Sequence, residues 1–443
     1  MIQCFKIKIN KFLILGVFLF VAFGFAKAAE AATYYVATTG NDANPGTLSQ
    51  PFKTIAKAYS QTLPGDTIIV KPGVYTEYQP GYGINLNKSG TASAPIMLKS
   101  ETKWGAILDG QATSPQTTPY TRQAVLWVGG NYNIVDGFDI RNSPKEGISI
   151  WGSSNKIINN NIHNNGNYGD TTYPYGHDGI FSAEYVSNNQ YIGNYIHHNG
   201  RSSCLGQTPC NHDHGLYLCG DNEVVANNIV GFNSAYGLQI AGYNTVSNMQ
   251  AYNNIFVSNG RSGAMLWLAV AGINFTNNIF YNNVNFGISS YDAHGSGVVF
   301  DHNLFYGNPS GPIDFTNAGS DYAYTSGTSI TTNPLFINDT NNFHLQSSSP
   351  AINAGATLSE VTTDFDGLSR PQGSAYDIGA YEYVGSPPAG ASADLNSDGR
   401  VNSVDAAILM GAWGQTTKPK ADINQDGIVN SVDASLMMGQ WSS

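Results

Sequence analysis

The chain is poor in charge and in cysteine, and it has a single long apolar run. Only 12% of its 443 residues are charged, and its formal net charge is −11. That balance excludes a typical nucleic-acid-binding protein, which concentrates Lys and Arg on one surface. Neutral polar residues are abundant instead, and there are 49 glycines. This composition fits a repetitive β-protein, and it equally fits a surface that meets sugars and water.

The apolar run lies near the N-terminus, at residues 12–26, behind a basic start that contains Lys6, Lys8 and Lys11. Small-residue cleavage patterns follow it. The run is too short to cross a bilayer comfortably, so it predicts a secretory signal peptide over residues 1–31. A retained N-terminal anchor is the alternative. No later run replaces it, so we expect a secreted or cell-surface protein with no membrane span after cleavage.

The four cysteines fit an exported protein, in which disulfides are permitted. Cys4 leaves with the signal peptide. Cys204 and Cys210 flank the turn-rich segment LGQTP, and we expect a disulfide between them. Cys219 is then the unpaired thiol, which we expect to be packed.

A repeat occupies the middle of the chain, in segments such as NNNIHNNG, YNNIFVSN and TNNIFYNN, each paired with a second half such as HGLYLCG or YGLQIAG. Each repeat predicts two short strands of alternating polarity separated by Asn/Gly turns. One such unit cannot bury its own apolar face, so stacked units share a core. Asparagine amides at a fixed turn position can form a ladder between units, and the aligned positions are Asn161, Tyr195, Asn228, Asn254, Asn278 and Asn303.

These repeats resemble the right-handed parallel β-helix of the pectate-lyase-like superfamily, over residues 32–384. The segment 33–77 is similar to that fold's usual start, in which a short helix covers the open end. The segments SPAINAG, DFDGLSRPQG and YDIGAYEY are similar to a C-terminal finish of bacterial members. The resemblance implies an all-β solenoid, expected to be monomeric, with structural roles for the finishing acids Asp364, Asp366 and Asp377. Such repeats host many activities, so the fold does not decide the function.

A second module follows a Pro/Gly/Ala/Ser linker at residues 385–393. The segments DLNSDGRVNSVD and DINQDGIVNSVD start 28 residues apart, each with oxygen ligands at loop positions 1, 3, 5, 9 and 12 and Gly at position 6. This is the calcium-loop spacing of an EF-hand, with Asp in place of Glu at position 12. The duplicated loop resembles a type I dockerin over residues 394–443. We therefore expect two Ca²⁺ ions, held by Asp394, Asn396, Asp398, the Arg400 carbonyl, Asn402 and Asp405, and by Asp422, Asn424, Asp426, the Ile428 carbonyl, Asn430 and Asp433.

The resemblance implies a cohesin module as partner, because dockerins attach enzymes to a scaffold or surface. Many cellulosomal dockerins carry a Lys-Arg pair where this chain has Met410-Gly411 and Met438-Gly439. That departure leaves the type of cohesin open, whereas the calcium prediction does not depend on it.

Two consecutive repeats carry insertions, which in a solenoid map to loops and often to the binding face. Repeat spacings of 34 and 33 residues are followed by 26, 24 and 25. Alignment on the Gly that opens the second strand stacks Asp178 over His214 and His177 over Asp213. Neighbouring strands lie ~4.8 Å apart, so each His/carboxylate pair can reach hydrogen-bonding distance. We predict these four residues as the catalytic cluster.

Further residues are predicted to bind a substrate. Glu146 and Tyr236 extend the same column, Glu184 adds a carboxylate, and the alternation points Phe181, Tyr217 and Trp267 outward, as it does Tyr291. The segment YPYGHD is loosely similar to the active-site motif of mannuronan C5-epimerases, which share this fold, and this likeness adds Tyr175 beside His177 and Asp178. A metal site at His212 and His214, completed by His177 or Asp178, is a rival interpretation, as is a purely structural His/Asp column.

The leading hypothesis is a secreted enzyme that cleaves a polysaccharide. Asp178 and Asp213 as diagonal neighbours fit the roughly 5–9.5 Å between two carboxylates that flank a glycosidic bond, and the few cations favour hydrolysis slightly. The first alternative is a lyase or C5-epimerase, in which a histidine or tyrosine abstracts the uronate C5 proton and Lys145, Arg201 or Arg261 neutralises the carboxylate. The second is a non-catalytic carbohydrate-binding or surface β-helix. Neither the Asp cluster and Arg of pectate lyases nor the Asp pattern of polygalacturonases was found.

Overall fold

A computed structural model describes residues 31–77, 83–111, 124–166, 177–201, 212–320, 322–384, 392–416 and 420–423, and residues 429, 433, 434, 436, 437 and 441. The predicted signal peptide (apart from residue 31), the Cys204–Cys210 disulfide and Tyr175 lie outside the described residues. In the described part of the chain, no helix is long and apolar enough to cross a membrane.

Three long parallel sheets run along the β-helix, and each complete rung contributes one strand to each sheet. Strands are numbered in chain order. The first sheet contains β1 (Thr33–Val36), β2 (Thr67–Val70), β5 (Ile96–Ser100), β8 (Asn133–Asp136), β11 (Lys156–Ile158), β14 (Gln190–Ile192), β17 (Val224–Ala226), β20 (Gln250–Tyr252), β23 (Asn274–Thr276), β26 (Val298–Asp301) and β29 (Tyr324–Ser326).

The other two sheets complete each rung. The second sheet contains β4 (Ile84–Leu86), β7 (Leu126–Val128), β10 (Ile148–Ile150), β13 (Ile180–Ser182), β16 (Leu216–Leu218), β19 (Leu238–Ser247), β22 (Ala264–Ala271), β25 (Phe286–His294) and β28 (Gly311–Asp314). The third contains β3 (Gly73–Tyr75), β6 (Ala106–Asp109), β9 (Asp139–Arg141), β12 (Asn161–His163), β15 (Tyr195–His197), β18 (Ile229–Gly231), β21 (Ile255–Val257), β24 (Ile279–Tyr281), β27 (Asn303–Tyr306) and β30 (Ser329–Ile330). The predicted parallel β-helix is confirmed.

The strands are short because two-residue turns recur between them. Before each third-sheet strand of the central rungs stands a residue in the left-handed conformation, such as Asn159, Asn253 or Asn277, with φ of 58°, 52° and 60°. Asparagine adopts this conformation more readily than most residues. The next residue is a buried asparagine whose side-chain oxygen accepts from the backbone N–H of its counterpart one rung earlier. This explains the Asn-Asn doublets of the repeat.

Asparagine ladders form as predicted, but the predicted register is wrong for two rungs. One ladder joins Asn160, Asn194, Asn228, Asn254, Asn278 and Asn303 by N–H to Oδ1 distances of 2.9–3.0 Å. Asn160 and Asn194 therefore take the places assigned to Asn161 and Tyr195. A second ladder joins Asn165, Asn199, Asn233, Asn259, Asn283 and Asn308.

The register error has a physical cause. The aligned apolar residues of the later rungs, Ile229 and Ile255 among them, face outward rather than into the core. A closing segment, residues 331–384, covers them with a second apolar cluster. It contains the antiparallel pair β31 (Phe336–Asn338) and β32 (Asn342–Leu345). Outward positions of the third sheet are therefore apolar where the segment covers them.

The finishing acids are structural, as expected. Asp364 accepts from the backbone of Asp366, Leu368 and Glu382, and Asp377 accepts from Asn353 and Tyr383. A buried ion pair joins Arg370 to Glu382 at 2.6 Å. These bonds hold the closing segment in one conformation.

A short helix covers the N-terminal end, as the sequence predicts. Helix α1 (Ile55–Gln61) is capped by Thr54, whose side chain accepts from the Lys57 N–H. The Glu77 carboxylate accepts from the N–H groups of Ile55 and Ala56. Ile55, Ala58 and Tyr59 are buried in the main core, so the helix shields the first rung from water. The other helix, α2 (Ser403–Gly411), lies in the C-terminal module.

Candidate active site

The four residues of the predicted catalytic cluster do meet, directly before strands β13 and β16. The registers Ile148↔Ile180↔Leu216↔Leu238 confirm the alignment on the glycines. His177 Nδ1 lies 3.8 Å from Asp213 Oδ1, and the His214 N–H donates to Asp178 Oδ1 at 2.9 Å. The residues are therefore stacked across the two rungs as predicted, but the His177–Asp213 distance is longer than a hydrogen bond, and the bond to Asp178 comes from the backbone of His214 rather than from its ring.

The cluster is closed to solvent, however. His177, Asp178, Asp213 and His214 are each 0% exposed. Asp213 is held by Arg201, whose Nε and Nη2 donate to its two carboxylate oxygens at 2.8 and 2.7 Å. A side chain without exposed surface cannot contact a polymer. The direct catalytic role predicted for these four residues therefore does not fit the structure, and the column supports the surface above it.

Burial also fixes the charge states of this column. It raises the pKa of Asp178 well above its ordinary value, and the nearby Glu146 and Asp213 carboxylates oppose ionisation further, although the His214 N–H partly offsets both. Burial lowers the pKa of His214 well below its ordinary value. Burial thus favours the neutral forms of Asp178 and His214, and the Arg201–Asp213 pair carries compensating charges, as buried groups require.

The remaining predicted residues divide between this column and the surface. Glu146 is only 4% exposed. Glu184 is partly exposed just after β13 and accepts from Asn244 Nδ2 at 3.2 Å. Phe181 and Tyr217 pair in register with their rings 5.7 Å apart on the outer face of the second sheet. Further along the same sheet, Trp267 on β22 pairs in register with Tyr291 on the adjacent strand β25, as the alternation predicts.

An open cleft of about 450 Å³ lies on that outer face. We call it the outer cleft; the described residues that line it are His212, Tyr236, Gln239, Arg261, Met265, Trp267 and Tyr291. The side chains that line it thus include an imidazole, a phenol, a guanidinium and two aromatic rings at one edge, and among the described lining residues none is Asp or Glu. The cleft rests on the buried column, because the His212 carbonyl accepts from the His177 N–H at 3.3 Å and the His214 ring lies 5.5 Å from that of Tyr236.

Burial shifts the pKa values of two polar groups that line the cleft. Burial lowers the pKa of His212, with Asp213 acting in the opposite direction and Arg201 in the same one. Burial raises the pKa of Tyr236, which Arg261 partly offsets; the Arg261 guanidinium lies 5.7 Å from the Tyr236 ring centre. At pH 7 the imidazole is neutral and can accept a proton, and the phenol keeps one that it can donate.

No metal cluster supports the rival interpretation of the HDH segment. Within the part of the chain that is described, no group of three or more His, Cys, Asp and Glu residues is placed to hold a metal ion. His212 faces the outer cleft, whereas His214 is buried beneath it, so the two do not share a face.

The first predicted calcium loop has the backbone that such a loop needs. Gly399 at position 6 has φ of +85°, and no atom lies within 4 Å of the place a Cβ would take. Asp394 accepts from the N–H groups of Asp398 and Gly399, and Asp405 accepts from Leu395, Asn396 and Asn402. Asn402 and Asp405 also form the capping box of α2. This oxygen-only donor set fits Ca²⁺.

The second loop repeats the arrangement where it is described. The Ile423 N–H donates to Asp433 Oδ1 at 2.6 Å, as the Leu395 N–H does to Asp405 Oδ1 at 2.8 Å. Asp422 lies at the start of this loop. The other predicted ligands, Asn424, Asp426, Ile428 and Asn430, lie outside the described residues.

Calcium removal should unfold the C-terminal module selectively. Without the cation, the carboxylates of each loop repel one another, so chelation by EDTA should abolish the α2 signal in circular dichroism and shift the fluorescence of Trp413, which is 46% exposed. Excess Ca²⁺ should restore both. An Asp405→Ala chain serves as the matched variant that Ca²⁺ does not restore fully. An EDTA-insensitive spectrum would contradict the calcium assignment.

Comparison with known proteins agrees with both halves of the molecule. Residues 34–208 match the family model described as a Pel9A-like, right-handed β-helix region, and residues 392–440 match that of the type I dockerin domain. Residues 34–208 are thus assigned to a Pel9A-like right-handed β-helix region and residues 392–440 to a type I dockerin domain. The predicted dockerin span, residues 394–443, and the predicted linker, residues 385–393, stay predictions; residues 385–391 lie outside the described residues.

Several relatives of this chain are named as pectate lyases. Pectate lyase L of Dickeya dadantii is 26% identical over 401 residues, which cover 79% of this chain and 90% of that protein. Pectate lyase PEL9 of Emericella nidulans is 39% identical over 84 residues, 19% of this chain and 20% of that one. The crystal structure of pectate lyase Pel9A superposes with a TM-score of 0.52 at 20% identity, covering 80% of this chain and 97% of that chain. This structural likeness concerns the fold.

The sequence predicts a substrate-binding role for Tyr236 and Trp267, and both line the outer cleft together with the predicted outward residue Tyr291. In the lyase alternative it also predicts that Arg261 neutralises a carboxylate. His212 is predicted only in the rival metal site, and Gln239 and Met265 are not predicted at all. Their common signal is the register: Gln239 and Met265 occupy the outward position of Tyr217 in the next two rungs. Alignment of the rungs by strand register therefore identifies the residues that line the cleft, once the His/Asp column beneath them is known to be buried.

Proposed function

We propose that the Pel9A-like β-helix is a polysaccharide lyase that cleaves a uronate-containing polymer by β-elimination in the outer cleft. The observation that carries this proposal is the cleft's set of groups: the cation Arg261, the neutral imidazole of His212 and the protonated phenol of Tyr236, with no carboxylate among the described lining residues. The lyase names of the relatives support the same reaction class. Elimination thus replaces the hydrolysis that the sequence favoured slightly, because Asp178 and Asp213 are buried.

Each group has one task in this reaction. Arg261 neutralises the uronate carboxylate, which makes the C5 proton more acidic. His212 accepts that proton, and the electron pair of the C5–H bond forms the C4–C5 double bond while the C4–O4 bond breaks. Tyr236 donates its proton to the departing O4, and solvent returns the proton from His212 to Tyr236. The products are a new reducing end and an unsaturated uronate.

The buried column holds the cleft in this arrangement. The His177 N–H fixes the His212 carbonyl, and the Asp213–Arg201 pair anchors the rung from which His212 extends. In this proposal His177, Asp178, Asp213 and His214 are positioning residues, and no step passes through them.

The test is a product assay on a panel of uronate polymers and neutral polysaccharides. Ultraviolet absorbance from unsaturated uronates should rise together with reducing ends, and His212→Ala and Arg261→Gln should each lower the rate roughly 100-fold or more, as the loss of an acid–base or electrostatic group does. His302→Ala and Arg141→Gln, which change an imidazole and a guanidinium away from the second sheet, should leave it unchanged. Reducing ends without absorbance would contradict elimination.

We further propose that the dockerin attaches this enzyme to a cohesin-bearing scaffold or cell surface outside the cell. The support is the type I dockerin match, and Ca²⁺-dependent retention of the chain on an immobilised cohesin panel tests it. Retention that survives EDTA would contradict a dockerin–cohesin contact.

A further inference from the structure

A strip of aromatic side chains leads away from the outer cleft along the second sheet. We call it the aromatic strip: Trp127, Trp151, Phe181 and Tyr217. Successive ring centres lie 5.1, 6.1 and 5.7 Å apart, and the rings of Trp127 and Trp151 are within 8° of parallel. Trp151 is 39% exposed. Large rings that remain accessible on a soluble protein are typical of a binding surface.

The strip is continuous with the outer cleft. Tyr217 pairs in register with Gln239, which lines the cleft, and the Tyr217 ring lies 5.5 Å from that of His214 beneath the cleft. Strands in the sheet are ~4.8 Å apart, so a polymer that leaves the cleft along the helix axis meets one ring after another. The strip therefore extends the same path that the reacting sugar occupies.

The strip differs from the cleft in charge. The outward positions of β7, β10, β13 and β16 are Trp127, Ser149, Phe181 and Tyr217, and none of them is Lys or Arg. Arg261 stands only at the cleft end. A polymer with a carboxylate on every sugar would place uncompensated charges over this apolar surface, which is unfavourable. Uncharged sugars present C–H faces that gain dispersion contacts with aromatic rings.

We propose that the aromatic strip is a binding site for neutral pyranose residues that adjoin the uronate held in the cleft. The substrate class is then a heteropolymer in which uronates are bordered by neutral sugars, rather than a pure polyuronate. The statement about substrate rests on the proposed function, whereas binding at the strip does not depend on cleavage.

The test measures binding of the full chain, carrying His212→Ala to prevent turnover, by affinity electrophoresis. The probes are a polymer that alternates galacturonate with a neutral sugar and polygalacturonate. Trp151→Ala and, separately, Trp127→Ala should weaken binding of the alternating polymer about tenfold and leave that of polygalacturonate unchanged. Tyr306→Ala, which removes an exposed ring from the third sheet, should change neither. Circular dichroism confirms that each variant is folded.

The outcomes separate the two proposals. Equal weakening for both polymers, or no weakening in either tryptophan variant, would overturn the neutral-sugar assignment. Selective weakening of binding, together with a wild-type chain that releases no unsaturated product from any polymer, would uphold the strip and overturn the lyase. Elimination activity of the wild-type chain, together with unchanged binding in both tryptophan variants, would uphold the lyase and overturn the strip.

Discussion

Asp213→Ala should destabilise the β-helix by about 3–5 kcal/mol, the range found when one partner of a buried ion pair is removed. Asp213 is 0% exposed and Arg201 3% exposed, and three hydrogen bonds from Arg201 end on the Asp213 carboxylate. Without Asp213 the guanidinium is left buried and unneutralised. Denaturant unfolding of the full chain, followed by circular dichroism, measures the loss.

A double variant isolates the cause. Replacing both partners, as Arg201→Met with Asp213→Leu, removes the stranded charge, so much of the lost stability should return. Asp292→Ala changes an exposed carboxylate on the same sheet and should have little effect. If Asp213→Ala leaves the free energy of unfolding unchanged but abolishes product formation, the residue acts on the substrate directly and the positioning role is wrong.

The second large effect is a pH dependence centred on Glu223. Burial raises the pKa of this carboxyl to about 7, although hydrogen bonds from Asn189, Ser182 and Tyr191 oppose the rise. In the unfolded chain its pKa is the ordinary ~4.3. Between these values the folded state binds the proton more tightly, so the free energy of unfolding falls as pH rises through this window. The total loss is about 4 kcal/mol, because the folded and unfolded pKa values differ by roughly 2.7 and one pKa unit corresponds to about 1.4 kcal/mol.

Glu223→Gln should remove this dependence. Asn189 and Tyr191 both donate to Oε1, and Ser182 lies 3.0 Å from Oε2. A glutamine carbonyl accepts the first two bonds and its amide donates to the serine, as a protonated carboxyl does. The variant should match the wild type in unfolding experiments at pH 4, below the unfolded pKa, and exceed its stability at pH 8. Glu360→Gln, at an exposed position, provides the control. A wild type that is equally stable at both pH values would contradict the prediction.

The place of Glu223 shows what the repeat can and cannot predict. A third asparagine ladder runs through Asn133, Asn155 and Asn189 and ends where Asn189 Nδ2 donates to Glu223. Repeat alignment alone identifies an acid standing in an asparagine column. That this acid is buried with a serine and a tyrosine depends on the core packing of neighbouring rungs, which the alignment does not contain.

The same limit applies to the candidate site. Period and glycine alignment placed Phe181, Tyr217, Trp267 and Tyr291 correctly outward, and they paired His177 with Asp213 and Asp178 with His214. Whether a turn side chain points to solvent or inward is set by side-chain packing across rungs. The repeat alignment does not contain that packing, so it predicts a catalytic role for the residues at 177–178 and 213–214, which are in fact buried. Trp127 had a usable signal, since it stands at the outward position of β7, whereas Trp151 lies just after the end of β10.

The closing segment also bears on how the enzyme responds to pulling. In the sequence, this segment precedes the linker and the dockerin. It is hydrogen-bonded to left-handed turn residues of three successive rungs, whose side-chain amides donate to its backbone carbonyls: Asn227 to Thr363, Asn253 to Asp377 and Asn277 to Ala356. A force applied through the dockerin is therefore transmitted to the middle of the solenoid and shared among several hydrogen bonds, rather than acting on the terminal rung alone.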